Sequence, residues 1–180
     1  MTMNEETNAN AKPVMDAETL EFIRSLFTLV REGDTERLAP LVAKGIPVSF
    51  RNEKGDSLIM LATYHGHLDT SRLLLEAGAD PDVPNDQGQT PLAGVAYKGY
   101  LEIAELLLKH GARVEGSSPD GKTPLMMAAM FNRVAILDLL LGHGAKIDSV
   151  DSRGMTAVSL AKMMNATDTY ARLTGLGQVA

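Results

Sequence analysis

The side chains best equipped for chemistry in this chain are His65, His67 and Asp69, in the run His65-Gly66-His67-Leu68-Asp69. Two imidazoles and a carboxylate at alternate positions are the donor types of a hydrolytic metal centre, and an extended strand would bring both rings to one side. Their surroundings predict something else. Gly66 reads as the turn between two short helical runs, so the three groups fall across a bend, and no further His or carboxylate stands in a matching context. The remaining histidines, His110 and His143, fall at helix C-termini, where a positive charge meets the dipole favourably. They belong to neighbouring helices about 10 Å apart, too far to share one ion directly. No serine sits in a Gly-x-Ser-x-Gly elbow, and Gly121-Lys122-Thr123 lacks the glycine spacing of a phosphate loop. The chain has no cysteine, which excludes thiolate catalysis, disulfides and cysteine-built zinc sites. The expectation is therefore no catalytic residue, no metal and no cofactor. A metal-dependent enzyme using His65, His67 and Asp69 stands as the minor alternative.

The elements that hold these residues recur. Gly55, Gly88, Gly121 and Gly154 are 33 residues apart, and so are Gly45, Gly78, Gly111 and Gly144. A fixed period of this length means one supersecondary unit stacked several times, each burying its apolar face on its neighbours. In the unit Pro84 to Gly116, Asp86-Gln87-Gly88 is a turn. Thr90-Pro91 then opens a short helix as N-cap and first helical residue, and that helix stops near Gly99. A second helix is predicted from Leu101 to Lys109, with Leu101, Ala104, Leu107 and Leu108 on one stripe and Gly111 as its left-handed stop. The predicted units are 18–50, 51–83, 84–116, 117–149 and 150–180. The first keeps only its back half, and the last lacks the Gly-Ala ending, which predicts a frayed final helix.

The words Gly88-Gln-Thr-Pro-Leu-Ala and Gly121-Lys-Thr-Pro-Leu-Met, followed by Leu-Leu-Leu-Lys-His-Gly-Ala and Leu-Leu-Leu-Gly-His-Gly-Ala, resemble the ankyrin repeat. The resemblance covers roughly residues 18–175. It implies an all-α solenoid of four to five repeats, caps included, with helix–turn–helix pairs joined by hairpin-like fingers. Two departures stand out. The family often has His after Thr-Pro-Leu, where this chain has Met60, Ala93, Met126 and Ser159. Without that polar link the fingers are expected to be more mobile. The glycines at 66 and 99 give way to Asn132 and Asn165, and Asn tolerates the left-handed region that the turn needs.

The resemblance also implies where a partner sits: on the finger tips and the exposed ends of the first helices. Mapped onto this chain, these are Glu53, Lys54, Asp56, Tyr64 and His65; Asp86, Gln87, Gln89, Tyr97 and Lys98; Pro119, Asp120, Lys122, Met130 and Phe131; and Ser152, Arg153, Met155, Met163 and Met164. Tyr64 and Tyr97 are one period apart, and Met130 and Met163 continue the row. Aromatic and thioether side chains favour interface cores, so an apolar strip rimmed by mixed charge is expected. Packing onto the adjacent helix is the competing role for each of these. Met60 and Met126 read as core filler.

The formal net charge of −6 is uneven. Residues 1–50 carry 5 basic and 8 acidic groups, 51–116 carry 6 and 10, and 117–180 carry 6 and 5. No basic cluster exists in the sequence to neutralise a phosphate backbone, so nucleic acid is not an expected partner. No apolar run is long enough to span a membrane, and Met1 to Pro13 lacks a signal-peptide h-region. Residues 1–16 read as a disordered leader and 17–180 as one domain. The expected protein is a cytoplasmic monomer that binds one protein partner through its concave face without catalysis. The length leaves little room for a second functional domain, which favours an accessory or inhibitory role over a scaffold. Neutralisation of a toxin is one concrete form of that role.

Overall fold

The computed structural model describes residues 16–176. The expected leader thus lies outside the described residues except for Asp16, which belongs to the fold. Its carboxylate accepts the Thr19 backbone N–H at 2.7 Å and opens helix α1 (Ala17–Glu32). The following helices are α2 (Thr35–Ala43), α3 (Leu58–Tyr64), α4 (Leu68–Glu76), α5 (Pro91–Lys98), α6 (Leu101–Lys109), α7 (Pro124–Met130), α8 (Val134–Gly142), α9 (Ala157–Met163) and α10 (Thr167–Leu176). The described residues contain no regular strand, only an isolated antiparallel bridge between Arg51 and Ser57.

The period becomes structure through its caps. Ser57, Thr90, Thr123 and Thr156 open α3, α5, α7 and α9. Each hydroxyl accepts the N–H of the helix's third residue, Met60, Ala93, Met126 or Ser159, at 3.1 to 3.3 Å. A cap of this kind stabilises a helix by about 1 kcal/mol, which matters for helices too short to persist alone. Helices α1, α3, α5, α7 and α9 pack in that order as one layer, and α2, α4, α6, α8 and α10 form the second.

Leu74, Leu107, Leu140 and Leu173 lie one period apart between the layers, each at most 1% exposed. Burying one such side chain stabilises the fold by about 1.5–3 kcal/mol. The buried stripe of α6 is Ile103, Ala104, Leu106 and Leu107, with Leu101 and Leu108 only half-buried. Leu101 and Leu108 still pack against the core, so the predicted stripe holds and is widened by Ile103 and Leu106. Helix α6 packs on α4, α5 and α8 together, so the covered sector is wider than a single neighbour would bury. Leu173 also anchors α10, so the final helix is packed where fraying was expected.

The first unit differs from the sequence expectation too. Its front half is occupied by α1, whose 16 residues exceed the seven or eight of the later first-layer helices. Asp16 takes the capping role that Ser57, Thr90, Thr123 and Thr156 fill in the later units.

Candidate functional site

The first-layer helices end in a row that faces solvent, and the packing beneath sets how that row is presented. At Gly33, Gly66 and Gly99 the chain turns with φ of 73°, 83° and 94°. A side chain from the next unit lies over each turn: His67 over Gly33, Tyr100 over Gly66 and Arg133 over Gly99. His67 Nε2 is 2.8 Å from the Arg31 carbonyl oxygen, and Arg133 Nε donates to that of Tyr97 at 3.2 Å. These bonds satisfy carbonyls at helix ends that have no partner within their own helix. In the next step the register puts Ala166 where Arg133 stood, and the turn residue is Asn132, at φ 56°.

Finger loops and first-layer helices line two adjoining open hollows, together a trough. One part, about 570 Å³, is walled by Tyr97, Pro119, Met127, Met130 and Phe131. The other, about 750 Å³, runs along α1 past Leu20, Arg24, Phe27 and Arg31 to Arg51 and Lys54. Tyr64, Gln87 and Gln89 line both. The Tyr97 and Phe131 rings meet edge to face, 4.5 Å between centroids at 85°. Lys98 Nζ lies 4.3 Å from the Tyr64 ring centroid and 5.6 Å from that of Tyr97. The expected apolar strip is therefore interrupted by a cation held between two aromatic faces.

The fingers are tied in spite of the missing His. Asn85 Nδ2 donates to Asp56 Oδ1 at 3.0 Å, Arg51 Nη2 donates to the Pro84 carbonyl at 2.6 Å, and the Asp86 N–H donates to the Lys54 carbonyl at 3.1 Å. Farther along, the Ser152 N–H donates to the Asp120 carbonyl at 2.9 Å. In three of the finger loops one side chain folds the turn. Asn52 Oδ1 accepts from the N–H groups of Lys54 and Asp56, Asn85 Oδ1 from Gln87 and Gln89, and Asp151 Oδ1 from Arg153 and Met155. These three residues were not singled out in the sequence. Their signal is the 33-residue register, which aligns Asn52 with Asn85 and Asp151.

The residues mapped from the sequence divide accordingly. Tyr64, Gln87, Gln89, Tyr97, Met130 and Phe131 come together on the trough, with Lys98 over the two tyrosines and Glu53, Lys54 and His65 along its α1 part. Asp56 also lines that part, but its carboxylate is engaged by the Asn52 and Asn85 amides. Asp86 is exposed and lies 3.7 Å from Arg51. Asp120 pairs with Lys122 and Ser118, whose hydrogen bonds, Lys122's first, lower its pKa to about 2. Arg153 bonds Asp151, whose carboxyl is lowered chiefly by the Met155 N–H. Met155 packs against the core, whereas Met163 and Met164 are 53% and 45% exposed. Met60 and Met126 are buried core residues. Arg24 and Arg31 escaped the mapping because the first unit was read as half a repeat, although Arg31 is one period before Tyr64.

The histidines do not assemble a metal centre. The His65 and His67 rings stack 6.2 Å apart, His67 is engaged with the Arg31 carbonyl, and Asp69 lies in the first turn of α4. Among the described residues no three His, Asp or Glu side chains converge to hold an ion. Burial, and then the positive surroundings of His67, Arg31 and Lys98, lower the His65 pKa. His110 and His143 are the C-cap residues of α6 and α8. Among the described residues no helix is long and apolar enough to cross a membrane.

Comparison with known proteins agrees with this architecture. Residues 26–117 match the family model for ankyrin repeats in three copies, and residues 95–141 match the model for many copies. An ankyrin repeat protein of Pseudomonas aeruginosa is 56% identical over 62 residues, which is 34% of this chain and 36% of that protein. An ankyrin repeat-containing protein of Treponema pallidum is 46% identical over 55 residues, 30% of this chain and 18% of that protein. The aligned stretches thus span about a third or less of the curated relatives. With a family model covering more than half its length and the expected stack of helix pairs, this chain belongs to the ankyrin repeat family.

Proposed function

We propose that this protein is a non-catalytic docking module that holds one protein partner in the concave trough, as an accessory or inhibitory subunit, and is itself a monomer. Ankyrin repeats are generally protein–protein interaction modules. The observation that carries the reading here is the row Tyr64, Tyr97, Met130 and Met163. It is spaced by the repeat and lies along the open ends of successive helices, with the Tyr97–Phe131 pair as its centre. Aromatic side chains with few rotors lose little entropy when a partner orders them, and the tied fingers keep the surface pre-organised.

The test is affinity capture from native lysate of the source cells, with wild type beside a Tyr97→Ala, Phe131→Ala double variant of verified helical content. A protein retained by wild type and lost by the variant supports the reading. Equal retention by both moves the site off the trough.

A further inference from the structure

The two parts of the trough differ in charge. Along α1 it is walled by Arg24, Arg31, Arg51 and Lys54 against Glu53 and Asp56. Asp56 is consumed by two amides, and Arg51 is engaged with Gly55, Pro84 and Asp86. That leaves Arg24, Arg31 and Lys54 without an ion pair among the described residues, and Glu53 as the one carboxylate of that wall not engaged elsewhere. Lys98, over Tyr64, adds a fourth cation in no ion pair among the described residues. This wall is a local exception in a chain of net charge −6. At the α7 end the only charged wall residues, Asp120 and Lys122, neutralise each other; Tyr64, Tyr97, Phe131, Met127, Met130 and Pro119 make up most of the rest, with the uncharged polar groups Gln87, Gln89 and Ser118 at its edge. The polarity follows the repeat register. Positions 31, 64, 97, 130 and 163 read Arg, Tyr, Tyr, Met, Met, and positions 32, 65, 98, 131 and 164 read Glu, His, Lys, Phe, Met, where the exposed Glu32 is not among the residues that line the trough.

We infer that the partner presents to this trough a peptide segment that is acidic where it meets Arg24, Arg31 and Lys98 and apolar where it meets Tyr97, Pro119 and Phe131. The inference rests on the proposed docking function and adds the chemistry and direction of the bound segment. Unpaired cations at a rim steer an anionic partner and fix its register, while the desolvated anchor supplies most of the affinity. From α1 to α7 there are three helix spacings, about 25–30 Å at the usual packing distance. An extended segment of about eight residues covers that span.

The experiment selects binders from a displayed library of random twelve-residue peptides on the purified full chain. The selected peptides are then measured on wild type, on Arg24→Gln/Arg31→Gln and on Phe131→Ala, at low and high salt. Both arginine side chains are exposed and in no ion pair among the described residues, so folding is checked simply by melting. The expected result is enrichment of Asp or Glu toward one end and of an aromatic or aliphatic residue several positions away. The arginine variant should weaken binding about tenfold at low salt and much less at high salt, as screening requires. Phe131→Ala should weaken it at both.

Peptides lost with Phe131→Ala but indifferent to the arginine variant overturn this inference and leave the docking function standing. Absence of any selected peptide, or binding unaffected by either variant, overturns both. Retention of phosphatidylserine vesicles or a single-stranded oligonucleotide in competition with the peptides, lost in the arginine variant, also overturns it.

Discussion

Asn132 and Asp168 grip each other from neighbouring units. Asn132 Oδ1 accepts the Asp168 backbone N–H at 3.1 Å, and Asn132 Nδ2 donates to the Asp168 carboxylate at 2.8 Å. The same oxygen accepts the Thr169 N–H at 3.0 Å, so a residue in the left-handed region of one unit caps the second helix of the next. Asn132→Ala removes these bonds and keeps a β carbon at positive φ. The expected loss is about 1–2 kcal/mol, read as a lower urea midpoint. Asn132→Gly, which relieves the backbone, should cost less than Asn132→Ala. Equal midpoints for Asn132→Ala and wild type would show that the cap contributes nothing.

The glycine turns earlier in the array allow a cleaner separation. A β carbon on Gly66 would stand 2.9 Å from Tyr100 Cζ, whereas one on Gly111 meets nothing within 4 Å. Both residues have φ near 85–90°, at 83° and 89°, so both alanine variants carry the left-handed penalty of roughly 1–2 kcal/mol. Gly66→Ala should cost more, because the Tyr100 ring must also move. Paired thermal melts check this. A Gly66→Ala variant no less stable than Gly111→Ala would mean that the ring yields freely.

These two relationships also mark the limit of what could be read in the chain itself. Turn glycines, Thr-Pro caps and paired leucines are local signals, each carried by a few adjacent residues, so the helix pairs and the left-handed Asn132 were legible. The seating of His67 on Gly33, Tyr100 on Gly66 and Arg133 on Gly99 joins residues 34 apart, one more than the period, and has no local signature. The trough shows the same division. Tyr64, Tyr97 and Phe131 were legible because they repeat. Arg24 and Arg31 were not, because α1 opens on Asp16, outside the register of the Ser or Thr caps and turn glycines that announce the other first-layer helices. The engagement of Asp56 and the Asp120–Lys122 pair could not be anticipated, since a carboxylate at a finger tip is the same letter whether it faces a partner or a neighbouring amide.

Asp151 offers a test by pH. Its carboxylate accepts from Met155, Arg153 and the Arg153 guanidinium, which holds its pKa below the ordinary aspartate value. A depressed carboxylate contributes stability that is fully present above its unfolded pKa and lost as pH falls through the folded one. Wild type should therefore lose stability on acidification below the ordinary aspartate range, partly through this group. Asp151→Asn keeps an oxygen for the two N–H groups, as Asn52 and Asn85 do in their own loops, and cannot titrate. Its melting temperature should fall less steeply with acid than that of wild type, while Asp151→Ala should be destabilised at neutral pH as well. Identical acid dependence in wild type and Asp151→Asn would remove Asp151 from the account.

The Tyr97–Phe131 pair joins stability to binding, and the two contributions can be separated. Both rings are half-buried and meet edge to face at 4.5 Å. Such a pair couples by about 0.5–1.5 kcal/mol beyond the area each ring buries. A double-mutant cycle with Tyr97→Ala and Phe131→Ala should recover a coupling of that size in urea unfolding. If the rings act only as packing, a captured partner should respond to either variant in proportion to the stability lost, and Met126→Ala, in the core below, should affect binding similarly. If they are the anchor of the trough, each ring variant should weaken the partner far more than a Met126→Ala variant of equal or lower stability. Loss of binding ranked by exposure on the trough, not by melting temperature, is the outcome that docking requires.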